Sequence, residues 1–509
     1  MERNSDNQLP LSRRLAYGVG HILNDLCASM WFTYMLLYMR NVVGMSAVNA
    51  GIIILIGQVA DALATPFVGL ESDRTVGVKY GRRKIWHLVG VIFVVCSFPF
   101  IFNKCIHCAS APEYAQMVYY APFIVMFQFG WAATQISHLA LIPELTTSNK
   151  EKMELNAIRY FFTIASNLVV YITCFLVFEL HNSNAGKGLP TISAADTVKF
   201  QILALSVVGL GVVFMIIFHV FVRERRPQPS SHEERESLIN PASDDAEDHP
   251  LTRSTTSVQS MSIRGASCWL KQRVFYQVGA LYMATRLIVN VSQIYTPLYV
   301  INTLQLSAHA IAIVPGIVFV SGIPAALLSK RMTSKIGLKG SFFVGLLCIF
   351  ASSTWLYLIA QEITDQPPKY GMQAYGCAVF LGFGGSTLLI TALGMIAGMI
   401  GKYVDTGAFV YGSMSFLDKL SNGAAVMIIQ SFHPCKNSII VCHNSKIFLR
   451  TIMVFVPGFA AVFALIVLLT VLGTPIGTQS EDSVKNCKES AYGSVEPINP
   501  SSEAVTSTG

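Results

Sequence analysis

Long apolar runs separated by short charged loops set the pattern of this chain. Twelve runs can be marked, near 15–39, 48–70, 85–103, 118–142, 155–179, 200–222, 273–300, 309–329, 341–361, 371–400, 406–430 and 448–472. Each has about the 20 residues that a helix needs to cross roughly 30 Å of hydrocarbon. The pattern predicts an all-α polytopic membrane protein with twelve spans embedded in a lipid bilayer.

Loop charge then gives an orientation. Arg74, Lys79, Arg82, Arg83 and Lys84 follow span two, Arg223, Arg225 and Arg226 follow span six, and Lys330, Arg331, Lys335 and Lys339 follow span eight. Alternate loops hold only scattered cations such as Arg40, Lys104 and Lys436. Cytosolic loops of membrane proteins are enriched in Lys and Arg, so both termini are expected in the cytosol.

Residues 223–272 interrupt the pattern. They are polar, Ser-rich and charged in both signs, with "PASDDAEDHP" inside, and cannot bury a core. The expected organisation is a cytosolic N-terminus over 1–14, six helices over 15–222, a disordered cytosolic linker over 223–272, six helices over 273–472 and a cytosolic tail over 473–509. Two six-helix halves around a long central loop suggest pseudo-symmetric bundles with a site at the membrane midplane.

Composition sharpens this picture. Only 13% of the 509 residues are charged and mean hydropathy is +0.51; a soluble protein carries about 25% charge. The net charge of +7 resides between apolar runs, where it sets topology, so nucleic acid is not an expected partner. Residues 1–14 are polar and the first apolar run is too long for a signal peptide's core, so no cleavable leader is expected.

Ionisable residues inside apolar runs are the first candidates for chemistry, because a charge at mid-bilayer costs several kcal/mol on most estimates, from about 2.5 upward, and so faces a cavity or a partner. Asp25 lies in span one, Asp61 close to the middle of span two, Arg286 inside span seven, and Asp418 with Lys419 midway along span eleven. Adjacent residues point about 100° apart on a helix, so Asp418 and Lys419 face different ways. Two readings stay open: a cation or proton site with substrate contacts, or internal ion pairs that orient helices. His138, in a central helix segment, fits either titration in an acidic compartment or hydrogen-bonded packing.

The stretch "DALATPFVGLESDRTVGVKYGRRKIW" resembles the loop after the second helix of the major facilitator superfamily, with Gly69, Asp73, Arg74, Gly81, Arg82 and Arg83 in the motif positions. There Gly69 would permit close helix contact, and Asp73 would pair with cations at the cytosolic rim as part of a gate. The longer spacer, after an Asp-x-x-x-x-Pro, is similar to the glycoside–pentoside–hexuronide:cation symporter branch. The resemblance implies the major facilitator fold and secondary transport by alternating access. It also carries over site residues: Asp25 in span one, Gln135 where some sugar-transporting members have Asp, Arg159 at the start of span five, and Lys419 in "GAFVYGSMSFLDKL". On that reading Asp25 and Asp61 bind a cation or proton, and Asp25, Gln135, His138, Arg159 and Lys419 contact a polar substrate. A closer likeness to one vertebrate member implies a lysosomal and melanosomal membrane protein that imports cysteine; composition and spacing say nothing of that substrate.

One departure favours protons over sodium. Cation-coupled sugar transporters of this branch tend to have a second acidic residue one turn after Asp61, where this chain has Thr65. A hard cation wants several oxygen ligands, and one carboxylate fewer weakens a sodium site. The set Asp25, Asp61 and Thr65 is therefore expected to serve a proton.

Two cysteine groups fall on the lumenal side, Cys105 with Cys108 and Cys435 with Cys442. Disulfides are favoured there over a metal site, with the pairing open. In the linker, "ERESLI" places Glu234 four residues before Leu238 and Ile239, which resembles a dileucine signal read by clathrin adaptors; "YGSV" at Tyr492 resembles the tyrosine-based kind. No Walker loop, nucleophile elbow or HExxH motif is present, so neither an enzyme nor an ATP-driven pump is indicated and no cofactor is expected. Besides cysteine transport, two readings remain: a cation symporter for sugars or lysolipids, and a non-transporting receptor or scaffold.

Overall fold

A computed structural model describes residues 9–75, 79–108, 111–146, 148–180, 192–224, 269–362, 367–400, 407–435 and 443–473. Glu234, Leu238, Ile239, Tyr492 and Cys442 lie outside the described residues. The helices are α1 (Leu11–Val19), α2 (Ile22–Leu37), α3 (Ala47–Arg74), α4 (Arg82–Ile101), α5 (Glu113–Ala140), the single turn α6 (Ile142–Leu145), α7 (Asn149–Leu180) and α8 (Thr197–Phe221). The second half holds α9 (Arg273–Leu298), α10 (Ala310–Glu362), α11 (Pro367–Ile400), α12 (Gly407–Ser431) and α13 (His443–Val471).

These make the twelve expected spans. Span one is broken into α1 and α2 at Gly20 and His21. Spans eight and nine run together as α10, turned at Gly337 by a positive φ of 74° where a loop was expected. Among the described residues eight helical stretches are long and apolar enough to cross a membrane by length and composition alone. Span one, α5 and α12 fall short because they carry polar side chains inside the bundles, which are the ones of interest below. Large apolar side chains such as Phe161, Ile172, Leu205, Leu327 and Phe459 are exposed on the outer faces, where lipid tails cover them.

Both halves repeat the same devices. The first long helix of each half ends in a wide π turn, at Tyr38–Val43 after α2 and at Tyr299–Thr303 after α9. Within each half, spans three and four of the six meet through facing glycines. A Cβ on Gly90 would lie 2.7 Å from the Gly130 carbonyl, and one on Gly384 would lie 3.0 Å from that of Gly345. Gly384 is therefore a helix contact, whereas Gly385 lies beside Val289 and lines the central cavity. Gly69 differs from expectation: nothing lies within 4 Å of its missing Cβ, so no close helix contact is made there in this conformation.

The two halves join from the far end to the depth of Asp61 and Lys419. A large apolar cluster draws Tyr34 and Tyr38 from the first half together with Tyr295, Tyr299 and Ile311 from the second. Two smaller clusters sit toward the end that carries residues 9 and 473, and each belongs to a single half. At the far end Arg40 donates to the Cys435 carbonyl (3.3 Å) and Asn41 to Asn302 (3.4 Å), joining the two π turns. The halves thus close at the far end and part toward the terminal end.

Gly130→Ala should test the glycine contact. The new methyl would meet the Gly90 carbonyl at 2.8 Å, and such overpacking costs about 1–3 kcal/mol. Thermal unfolding in detergent should show the loss, while Gly209→Ala, whose Cβ would have nothing within 4 Å, should not be destabilised.

Candidate functional site

A cavity of about 280 Å³ lies between the halves, walled by α2, α7, α9, α10 and α11. Its wall is mostly apolar, with Phe32, Val318 and Phe319, and is studded with Ser29, Asn167, Asn290, Gln293 and Ser386. Two charged groups reach it from opposite halves: the Asp25 carboxylate on α2 and the Arg286 guanidinium on α9. The hydroxyls of Ser29 and Ser292, both from residues lining this cavity, are buried without a partner among the described residues.

Each charge is held in place. Thr163 donates to Asp25 Oδ2 at 2.8 Å, and His21 Nδ1 lies 2.9 Å from the same oxygen. Arg286 donates from Nε to Asp418 Oδ2 at 2.8 Å, and Asn422 donates to Asp418 Oδ1 at 2.6 Å. Arg286 and Asp418 were visible in the sequence as intramembrane charges, but only the fold shows that they meet and that Arg286 faces the cavity.

A second ion pair crosses between the halves. Lys419 Nζ lies 2.5 Å from Asp61 Oδ1 and 2.6 Å from Thr65 Oγ1, with the Trp131 ring face 5.3 Å away. Thr65 in turn donates to the Asp61 carbonyl at 2.9 Å. Asp61 and Lys419 are both buried. The threonine that stands one turn after Asp61 therefore accepts from the chain's own ammonium group.

The other expected site residues lie off the cavity wall. Gln135 is half-buried on α5. His138 is buried and donates from Nε2 to the Tyr17 carbonyl at 2.8 Å. Arg159 lies one turn before Thr163 on α7, and its Nε is buried without a partner among the described residues.

At the terminal end, Gly81 has φ 113°, and a Cβ there would meet Glu224 at 2.3 Å. Both facts call for glycine. Glu224 caps α4 by accepting from the backbone N–H of Arg83 (3.0 Å) and Lys84 (3.1 Å), where a helix N-terminus favours an anion. Arg82 donates twice to Glu144 Oε1 (3.0 and 2.7 Å). Arg83 reaches Glu144, Ser72 and Asp73. Arg74 pairs with Glu71 at 3.0 Å on the surface. All of these belong to the first half, so Asp73 is tied within its own bundle. Glu144 and Glu224 were missed in the sequence, since neither belongs to the motif and both stand some 60 to 140 residues from it.

Burial, then the hydrogen bond with Glu144, pushes the Glu224 carboxyl up to about 7. Glu144 goes the other way: burial alone would raise it, but the hydrogen bond from Glu224 and the pairing with Arg82 hold it below the ordinary carboxylate value. On the far side Cys105 and Cys108 form a disulfide, and Cys435 is also disulfide-bonded. Among the described residues no three His, Cys, Asp or Glu side chains gather as metal ligands.

The family model for MFS/sugar transport protein matches residues 16–478. The chain belongs to this family. Major facilitator superfamily domain-containing protein 12 of Equus caballus is 46% identical over 483 residues, covering 93% of this chain and 96% of that protein. The Homo sapiens protein of the same name is 45% identical, covering 92% and 95%. The crystal structure of a D-xylose-proton symporter superposes with a TM-score of 0.62 at 14% identity, covering 92% of this chain and 98% of that one, which shows a shared fold. As a member of this family the chain is a multi-pass membrane transporter.

Two predictions follow from the geometry. Removing one partner of a buried pair costs about 3–5 kcal/mol because the other charge is left alone. Lys419→Met should lower the thermal stability of the purified protein, and adding Asp61→Asn should restore most of the loss. The second concerns Glu224, whose folded-state pKa of about 7 exceeds the ordinary 4.5. Between those values the folded protein holds a proton that the unfolded chain has released, so stability falls as pH rises across that window and the contribution is complete only below it. The apparent Tm of Glu224→Gln should lack this decline.

Proposed function

We propose that the chain is a proton-linked secondary transporter that carries cysteine by alternating access and imports it into lysosomes and melanosomes. The observation that carries the reading is the pair of opposite charges on one small cavity. An amino acid is a zwitterion, with an ammonium group for Asp25 and a carboxylate for the Arg286 fork, whose bidentate geometry suits a carboxylate. The unpartnered hydroxyls of Ser29 and Ser292 offer further bonds to such a solute. A neutral sugar would make use of neither charge, which speaks against the sugar reading.

The proton is favoured over sodium because Asp61 and Thr65 are already engaged by Lys419. A hard cation would find too few free oxygens there. Asp25, beside His21 and open to the cavity, is the carboxylate left for proton binding. The family's two-state fold supplies the mechanism: the far end is closed here, and rocking of one half against the other would open it. With the basic loops in the cytosol, this conformation faces inward, and the disulfides lie on the lumenal side. The likeness to the vertebrate member and a clathrin-adaptor-type signal at Glu234, Leu238 and Ile239 support the organelle membrane.

Uptake of labelled cysteine, cystine and xylose by vesicles containing the purified protein, at several inside and outside pH values, tests the proposal. Cysteine uptake that follows the pH gradient and ignores sodium is expected. Arg286→Met should cut it tenfold or more, the scale of a lost charge-assisted bond of about 1.5–3 kcal/mol. Flux that requires sodium, or xylose uptake in preference to cysteine, would overturn it.

A further inference from the structure

Four histidines from four different helices converge beside the break in span one. His21 starts α2, His87 lies in α4, His138 near the end of α5, and His219 near the end of α8. Ring centroids are 5.3 Å apart for His21 and His138, 5.9 Å for His138 and His87, and 5.0 Å for His87 and His219. His21, His87 and His138 are buried.

Their hydrogen bonds fix where the protons are. His87 Nε2 faces the Gly20 carbonyl at 3.0 Å, and His138 Nε2 faces the Tyr17 carbonyl at 2.8 Å. A carbonyl only accepts, so both Nε2 atoms carry hydrogen. These two carbonyls sit where α1 stops and α2 begins; the Tyr17 carbonyl also accepts from the Gly20 N–H at 3.0 Å, and each receives an imidazole N–H. His87 Nδ1 is then the lone pair that accepts from His219 Nε2–H at 3.1 Å, and His219 Nδ1 accepts from the Tyr80 hydroxyl at 2.7 Å. Tyr80 is 39% exposed at the terminal end. His138 Nδ1 remains as a buried lone pair without a partner among the described residues. At the inner end, His21 Nδ1 lies 2.9 Å from Asp25 Oδ2, on the wall of the transport cavity.

We infer that this imidazole cluster is a proton-binding site built into the break of span one, linking the Asp25 carboxylate to the terminal surface at Tyr80. The inference rests on the reading of proton-linked transport and goes beyond it, since it assigns the proton to a site outside the cavity. The balance is simple. A proton that binds His87 Nδ1 makes an imidazolium with two N–H groups, and the bond from His219 Nε2–H is lost because two donors then face each other. A proton that binds His138 Nδ1 fills the orphan lone pair. Passing it on to Asp25 through His21 leaves each ring neutral again. In either event Nε2–H still donates to the Gly20 or Tyr17 carbonyl, now from a charged ring.

The charged and titratable groups around the cluster are few. Among the described residues Asp25 is the one anion, 2.9 Å from His21 Nδ1. The cations are Arg159 on α7 and Lys84 on α4, whose Nζ donates to the His219 carbonyl at 3.1 Å. Tyr17 stacks on His138 at 4.2 Å and Tyr80 bonds His219; both are neutral hydroxyls. The one anion thus stands on the His21 side of the cluster and the cations on the others.

The test measures protons on the purified protein in nanodiscs without substrate. The pH is stepped from about 8 to about 5, the range in which imidazoles titrate, and uptake is read with an indicator dye. Wild type should take up more protons than His87→Gln and His138→Gln, which keep an N–H for the backbone carbonyls but cannot titrate. Equal uptake would overturn the inference. As a check that does not depend on variants folding, histidine-labelled wild type should show buried imidazole resonances that move with pH, and resonances constant down to pH 5 would also overturn it. Cysteine flux is measured separately, so a failed transport reading leaves proton uptake intact, and a failed proton site leaves cysteine flux intact.

Discussion

The Asp61–Lys419 pair is the constraint around which the rest of the structure is arranged. Two opposite charges sit at membrane depth in different halves, 2.5 Å apart. Neither is tolerable there alone, because hydrocarbon offers no water to replace the partner. The pair therefore holds α3 against α12. Packing follows it: a Cβ on Gly423 would meet Gln58 at 2.9 Å, and one on Gly51 would meet Gln430 at the same distance. With that side fixed, the space between the halves opens on the other side, along α2, α7, α9, α10 and α11, where the cavity lies.

A single helix serves both charge systems. Lys419 turns toward Asp61 in the other half, and Asp418, one residue earlier, turns toward Arg286 within its own half. A helix is stiff over one residue, so α12 cannot rotate to favour one pair without disturbing the other. On the proposed reading, a substrate that recruits the Arg286 guanidinium would compete with Asp418, and any shift of α12 would reach the Asp61 contact. Cavity and seam would then be coupled through this one helix.

The fold was legible in the sequence because its signal is local. Apolar runs of the right length need no partner to be recognised, and the twelve spans follow from them. Legibility ended where the chain departed from runs. Lys330 to Lys339 read as a loop, whereas the two helices of α10 meet at a single non-helical residue, Gly337. The site was half legible. Asp25, Asp61, Arg286, Asp418 and Lys419 stood out as charges in apolar surroundings. Their pairing did not, since Asp61 and Lys419 are 358 residues apart and spacing carries no information at that range. Family resemblance pointed to Gln135 and Arg159, which lie off the cavity wall, and was silent on Arg286. Glu144 and Glu224 were hidden for a different reason: a carboxylate beside a basic loop is ordinary in sequence, and only burial against Gly81 makes it a cap.

The two halves share their architecture but not their chemistry, and the difference lies in their first helices. Both α2 and α9 end in a π turn and both face the cavity. Only the first is broken upstream, at Gly20, and the carbonyls of Gly20 and Tyr17 at that break receive imidazole N–H groups from α4 and α5. The corresponding helix α9 runs unbroken and carries a guanidinium whose charge is permanent. One half thus offers a carboxylate beside imidazoles, and the other offers a fixed cation. On the proposed reading, a solute bridging them would join a variable charge to a constant one, so the state of the first half would decide how strongly the pair holds it. That asymmetry is what a two-fold repeat needs if one half is to release what the other still binds.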